Sequence, residues 1–277
     1  MNYIMRNRKK NIEKKHNPYI LAGSVITGGI LILVFLGIFF SPYDPSQMNA
    51  TAKLQGISLQ HIMGTDHMGR DVFSRVLYGS RVTLVIAAGT VLIGAGIGTL
   101  LGALTGYFGG IFDEIMMRII DALFAFPSVL LALVFVSLFN SGTYEVMIAL
   151  GIAFIPSFAR IVRSEFLRYR SMDYVESARI QGASDLRIIF EHIMPNVRGI
   201  LLSSVLIGFN NAVLAEAGLS YLGIGSQPPY ASLGKMLSDA QQYMFSAPAY
   251  VLGPGMMIVF MVLGFSLLGE GVRKMHD

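Results

Sequence analysis

The stretch Glu176-Ser177-Ala178-Arg179-Ile180-Gln181-Gly182, followed after nine residues by His192-Ile193-Met194-Pro195, is a polar segment set between runs that are almost continuously apolar. Uncharged runs extend from His16 to Tyr43, Val82 to Phe112, Ala122 to Tyr144 and Ala240 to Gly269. Each exceeds the roughly 20 residues that carry a helix across a bilayer. Of the 277 residues only 14% are charged, and the mean hydropathy is +0.59; a soluble domain carries about 25% charged residues. The chain reads as an all-α integral membrane protein with one membrane domain, and the polar stretch as a structured loop presented to a partner.

Composition narrows the chemistry. The chain has no cysteine, which excludes disulfides, thiolate metal sites and cysteine nucleophiles and leaves the redox compartment open. The net charge of +4 is read by location and not as a nucleic-acid signal. The N-terminus carries a basic stretch and then an apolar run, the outline of a signal peptide. That run is too long, and Ser41-Pro42-Tyr43-Asp44-Pro45 offers no small-x-small cleavage site, so it is read as a retained first span.

Six spans are expected: 19–40, 82–106, 115–139, 146–163, 199–222 and 247–269. They leave a basic tail (1–18), an extracellular segment (41–81), a core membrane domain (82–272) and a short C-terminal tail (273–277). The fourth span is weak, because only Val146 to Ala159 lies between Glu145 and Arg160; Arg160 and Arg163 must snorkel to the interface. Charge supports it. The tail holds Arg6, Arg8, Lys9, Lys10, Lys14 and Lys15, and the 160–198 segment holds Arg160, Arg163, Arg168, Arg170, Arg179, Arg187 and Arg198. With six spans these join Arg118, Arg273 and Lys274 in the cytoplasm and leave Lys53, Arg70, Arg75, Arg81 and Lys235 outside, the positive-inside arrangement with both termini cytoplasmic. In the second span Gly94, Gly98, Gly102 and Gly106 recur every four residues, with Gly110 just beyond. Such a stripe admits the backbone of another helix and speaks only to packing.

Residues 164–198 carry helix signals and are not disordered in composition. Ser171 is read as an N-cap, Asp173 lies in the favoured first turn, and Gly182 closes the helix in the left-handed conformation. Ser184 then caps a second short helix with Leu186, Ile189, Phe190 and Ile193 at helical spacing, and Pro195 stops it. A glycine-linked helix pair makes a knob that transmits force, which a floppy linker does not. Taken on composition alone, the knob also fits a solvated amphipathic hairpin without a partner.

The pattern Glu-Ser-Ala-x3-Gly-x9-His-Ile-Met-Pro resembles the EAA loop of ATP-binding-cassette importer permeases, with Ser177 in place of the usual first alanine. Gly64-Thr65-Asp66-His67-Met68-Gly69-Arg70-Asp71, Tyr78-Gly79-Ser80-Arg81, Phe126-Pro127, Tyr174-Val175-Glu176 and Leu219-Ser220-Tyr221-Leu222-Gly223-Ile224-Gly225-Ser226-Gln227-Pro228-Pro229 are similar to the dipeptide, oligopeptide and nickel permeases, specifically their second membrane subunit. The matches run in order from about residue 61 to the C-terminus. After Pro229 the family commonly reads Thr-Pro-Ser-Trp-Gly, whereas this chain has Tyr230-Ala231-Ser232-Leu233-Gly234; that departure bears on the cargo or binding protein and leaves the coupling loop untouched.

The resemblance implies a six-helix type I importer permease fold with cytoplasmic coupling helices, working by alternating access. Implied partners are a homologous second permease, two ATPase subunits that bind ATP and magnesium, an external binding protein and membrane lipid. The cargo is expected to be a peptide or a peptide-like metal chelate. Implied ATPase-coupling residues are Glu176, Ala178, Arg179, Gly182, Ala183, His192 and Pro195. Glu176 and Arg179 are the expected polar contacts, Gly182 is a backbone requirement, and His192 fits either a contact or a structural role.

Other residues invite functional readings. His61, Met63, Asp66, His67, Met68 and Asp71 crowd the outer segment; a turn-and-interface role is favoured over metal binding. Asp121 is a candidate for the translocation path or gate, or an i,i+3 partner of Arg118. Glu216 lies seventeen residues beyond Gly199, roughly 25 Å along a helix, which puts it near the outer mouth as a gate or substrate contact. No Gly-x4-Gly-Lys-Ser/Thr phosphate loop, Ser/His/Asp set or His-Glu-x-x-His pattern is present, so ATP chemistry is assigned to another polypeptide. The alternatives are an autonomous secondary transporter, which calls for inverted repeats or interrupted helices, and an intramembrane enzyme, which calls for a catalytic group at depth.

Overall fold

The computed structural model describes residues 17–139, 142–227 and 230–276. The basic tail up to residue 16 and the Pro228-Pro229 motif therefore lie outside the described residues. The chain is almost wholly helical: α1 (Pro18–Phe39), α2 (Val72–Phe108), α3 (Gly110–Phe124), α4 (Ser128–Phe139), α5 (Thr143–Arg170), α6 (Asp173–Ile180), the single turn α7 (Asp185–Arg187), α8 (Met194–Tyr221), α9 (Leu233–Ala240) and α10 (Pro248–His276). Among the described residues five helices are long and apolar enough to cross a membrane, or six when α3 and α4 count as one bent span.

The glycine stripe determines how the bundle closes. A Cβ on Gly94, Gly98 or Gly106 would meet the Cβ of Phe154, Phe158 or Phe166 at 2.9, 2.6 or 2.7 Å, and one on Gly102 would meet Ala159 O at 2.5 Å. Partner numbers rise together, so α2 and α5 run parallel with their backbones nearly touching. A parallel pair requires the chain between them to return across the bundle, and α3 with α4 makes that crossing.

The expected straight third span (115–139) is instead broken, with α3 and α4 meeting at 91°. Pro127 explains the break: it has no N–H to donate and disfavours helical geometry at Phe126. The second span begins at Val72 and not at residue 82, because the Asp71 carboxylate caps Ser74 N at 2.8 Å and buried Arg75 does not end a helix. Likewise α5 continues through Arg160 and Arg163 to Arg170, beyond the expected 163, with Pro156 accommodated inside it.

The first and last helices pack antiparallel. Gly23 meets Leu268, Gly264 meets Thr27 and Gly271 meets Ile20. Asn17, the cap of α1, also donates from Nδ2 to Gly271 O at 3.0 Å, so the start of α1 and the end of α10 share one side of the bundle.

The segment between α1 and α2 is organised by Asp66, which is fully buried. It accepts from Met68 N, Arg70 N and Arg70 Nε at 2.8, 2.9 and 2.6 Å and faces Arg75 Nε at 3.5 Å. Asp71 also pairs with His61 Nδ1 at 2.9 Å, and His67 stacks on Tyr243 and Tyr250. These contacts account for the His- and Asp-rich segment as a turn and an interface.

Three outcomes test these contacts by thermal melting of the purified chain. Gly102→Ala is expected to cost about 1–3 kcal/mol by overpacking. Gly96→Ala, where a Cβ meets nothing within 4 Å, is expected to be neutral or stabilising by about 0.5–1 kcal/mol. Asp66→Ala strands buried Arg75 and half-buried Arg70 and is expected to cost about 3–5 kcal/mol.

Candidate functional site

The segment that dominates the sequence reading becomes a capped helical knob at the end of the bundle where α2 and α5 terminate. Ala183 N donates to Ala178 O and Gly182 N to Arg179 O, both at 3.0 Å. This is the six-to-one and five-to-two pair of a Schellman cap. Gly182 sits at φ +83°, a conformation that costs an L side chain about 1–2 kcal/mol. Ser184 caps the next turn by accepting from Arg187 N at 3.4 Å.

Two expectations change here. Ser171 is not the cap of α6: it closes α5, its Oγ donating to Arg168 O at 3.0 Å, and Met172 holds the cap position. Pro195 does not stop a helix either. It lies in the first turn of α8. The chain stays helical from Asp185 to Tyr221 through a π-helical stretch at Ile188–Ile193.

That stretch rotates the apolar register. Ile188, Ile189 and Ile193 turn inward, whereas Leu186 and Phe190, expected on the same face as Ile189 and Ile193, are 67% and 63% exposed; Ile180 on α6 is 81% exposed. The inward set joins Val175 in a second apolar core with Ala103 and Tyr107 of α2, Val162 and Phe166 of α5 and Val197 of α8.

Polar contacts complete the attachment. Tyr107 OH donates to Asp185 Oδ1 at 2.6 Å, Arg170 Nη1 donates to Tyr107 O at 2.7 Å, and Arg179 lies 6.0 Å above the Tyr107 ring. Tyr174 OH donates to His192 O at 3.4 Å and accepts from Asn196 Nδ2 at 3.3 Å. Partial burial, with Tyr169 nearby, raises the Tyr174 phenol pKa, which keeps it a neutral hydrogen-bonding group. Glu176, Arg179, Gly182 and Pro195 are exposed, while Ala178, Ala183 and His192 are half-buried.

The two candidate pathway carboxylates are both engaged within the chain. Asp121 pairs with Arg160 at 2.5 Å and not with Arg118, which turns to Glu114. Arg160 lies 4.0 Å above the Phe124 ring, and Arg163 grips Asp113 through two hydrogen bonds of 2.6 and 2.7 Å. Helix α3 is thereby pinned to α5. Glu216 is fully buried and accepts from Thr83 Oγ1 at 2.8 Å and Ser220 Oγ at 2.7 Å, tying α8 to α2.

Neither carboxylate lines the cleft of about 420 Å³ between α4, α5 and α8. Its polar groups are Ser128, Ser157, Ser204 and Asn211, set among apolar neighbours such as Phe158 and Leu214. The sequence reading passed over all four. Asn210-Asn211, an amide pair within a largely apolar span, was the available signal.

Residues 98–277 match the family described as "Binding-protein-dependent transport system inner membrane component". The chain is 39% identical over 264 residues to the dipeptide transport system permease protein DppC of Alkalihalophilus pseudofirmus, covering 95% of this chain and 86% of that one. It is 40% identical over 262 residues to the glutathione transport system permease protein GsiD of Pectobacterium atrosepticum, covering 91% and 86%. Among solved structures, the inward-facing MetNI methionine ABC transporter superposes with a TM-score of 0.60 at 17% identity, covering 73% of this chain and 96% of that chain; the likeness establishes a shared type I importer permease fold. By sequence and by fold, this chain belongs to the inner membrane components of binding-protein-dependent transport systems, the permease subunits of ATP-driven importers.

Proposed function

We propose that this chain forms half of a peptide translocation pathway with a similar permease subunit, and that its 171–195 knob docks on a separate ATPase. The observation that carries the docking is the exposure of Ile180, Leu186 and Phe190 on a knob held rigid by two caps and its own apolar core. Exposed apolar side chains grouped in this way mark interaction surfaces. The surrounding Glu176, Arg179, Arg187 and Glu191 supply a polar rim.

ATP and magnesium belong to the partner subunits, and this chain does no bond chemistry. ATP-driven closure of the ATPases moves the knob, and α5 and α8 move with it because both contribute to the core beneath it. The start of α1 and the end of α10 on one side of the bundle, with the placement of Lys and Arg, support a cytoplasmic location for both termini. An autonomous secondary transporter is not favoured, since the family works through separate subunits.

Peptide cargo is supported by the dipeptide and glutathione named for the relatives and by the cleft itself. Serine hydroxyls and an asparagine amide suit the donors and acceptors of peptide bonds, and the lining carries no charge that would discriminate among side chains. A peptide-like metal chelate is the alternative cargo.

Three measurements test the proposal. Phe190→Asp is expected to leave the melting temperature within a few degrees while weakening ATPase co-purification by about 2 kcal/mol or more, a typical hot-spot loss. Gly182→Pro, which forces φ near −65°, is expected to abolish uptake; intact uptake in that variant, with no ATPase accompanying the wild type, would refute the coupling role. In cells lacking the chain, its return is expected to restore uptake of labelled dipeptide, with nickel chelates as the comparison.

A further inference from the structure

Beyond the cleft lies a second cavity, of about 460 Å³, at the end of the bundle opposite the knob. Tyr78 and Arg81 of α2, Tyr144 and Glu145 at the start of α5, and Gln227 and Tyr230 from the loop after α8 line it. No lining residue is shared with the cleft. Glu145 stands nine residues before Phe154 of the cleft, about 14 Å farther along α5.

Several other charges at this end are matched. Asp66 holds Arg70 and Arg75, Asp71 holds His61, and Lys235 holds Asp239 at 2.7 Å. Arg81 and Glu145 differ: they share one cavity, yet among the described residues neither side chain forms an ion pair or a hydrogen bond. Unmatched opposite charges at the edge of a membrane-spanning bundle mark a substrate route. A ligand carrying both signs, spaced to span the gap, satisfies both at once.

Resting on the peptide reading above, we propose that this cavity receives the charged termini of a short peptide, Arg81 binding the α-carboxylate and Glu145 the α-ammonium. The guanidinium fork matches a carboxylate in two-point geometry. The three tyrosines supply flat apolar walls with hydroxyl edges, and the volume lies within the range of small-molecule sites. The cavity reads the feature shared by all short peptides, their two ends, before the uncharged cleft accommodates the rest.

The test uses a single reporter, because the chain contains no tryptophan. Tyr230→Trp is introduced into the full chain in lipid nanodiscs, with Tyr144→Trp as a second reporter should the first lower the yield of folded protein. Dialanine is expected to shift the emission saturably. N-acetyl-dialanine and dialanine amide are expected to need roughly tenfold higher concentration, the loss of one charge-assisted hydrogen bond. Arg81→Gln should erase the difference between dialanine and its amide while keeping the penalty for acetylation; Glu145→Gln should do the reverse. Absence of a saturable shift, or variants that weaken all three probes equally, would overturn the assignment. Dipeptide uptake by the assembled transporter separates the two readings: uptake without a reporter shift removes this site alone, whereas import restricted to metal chelates removes the peptide reading with it.

Discussion

The near-contact of the α2 and α5 backbones along Gly94, Gly98, Gly102 and Gly106 constrains everything else in this molecule. Two helices that close and parallel cannot be joined by a short turn, so residues 109–142 must recross the bundle. They do so as a bent pair, with α3 clamped to α5 by the Asp113–Arg163 and Asp121–Arg160 pairs and α4 left to wall the cleft. Dispersion and close approach supply the attraction inside a bilayer, where burying apolar surface yields little. Any side chain on the stripe would separate the pair and with it the floor of the knob.

That floor explains how force enters. Ala103 and Tyr107 at the end of α2, and Val162 and Phe166 near the end of α5, form the apolar core under the knob, and the Tyr107–Asp185 hydrogen bond anchors α7 to the same place. Helix α2 then runs 37 residues without interruption, roughly 55 Å, to the Asp66 network at the other end. Glu216 ties α8 into α2 at Thr83, in the third of the helix nearer that network. A displacement of the knob is therefore borne by continuous helices and not dissipated in loops.

Much of this was legible from residue order. The glycine spacing predicted close helix packing, and Gly182 and Ser184 predicted the caps. The dense Asp and His segment was read as a turn and an interface, and the structure gives it those contacts. Helix ends were read short, because charge was used to terminate Val72–Phe108 and Thr143–Arg170, and a helix tolerates charge wherever a partner or water meets it. The 91° break at Pro127 was signalled by a single residue but not its angle. The partners of Asp121 and Glu216 were misjudged or missed for one reason: both bond across helices, to Arg160 and Thr83, at separations where local spacing carries no information.

Residue order alone established an all-helical membrane chain, its approximate spans and a rigid polar knob, since length, hydropathy, charge and capping are local properties. Only the tertiary structure decided which face of that knob is presented. The π-helical stretch turns Ile188 inward and Leu186 and Phe190 outward, a rotation set by the fit against Tyr107 and Phe166 and not by the periodicity of the segment. Tertiary packing likewise gathered Ser128, Ser157, Ser204 and Asn211 into one cleft, and Arg81 and Glu145 into one cavity. Each group joins elements distant in the chain, and the meeting of Arg81 with Glu145 depends on how closely the glycine stripe lets α2 approach α5.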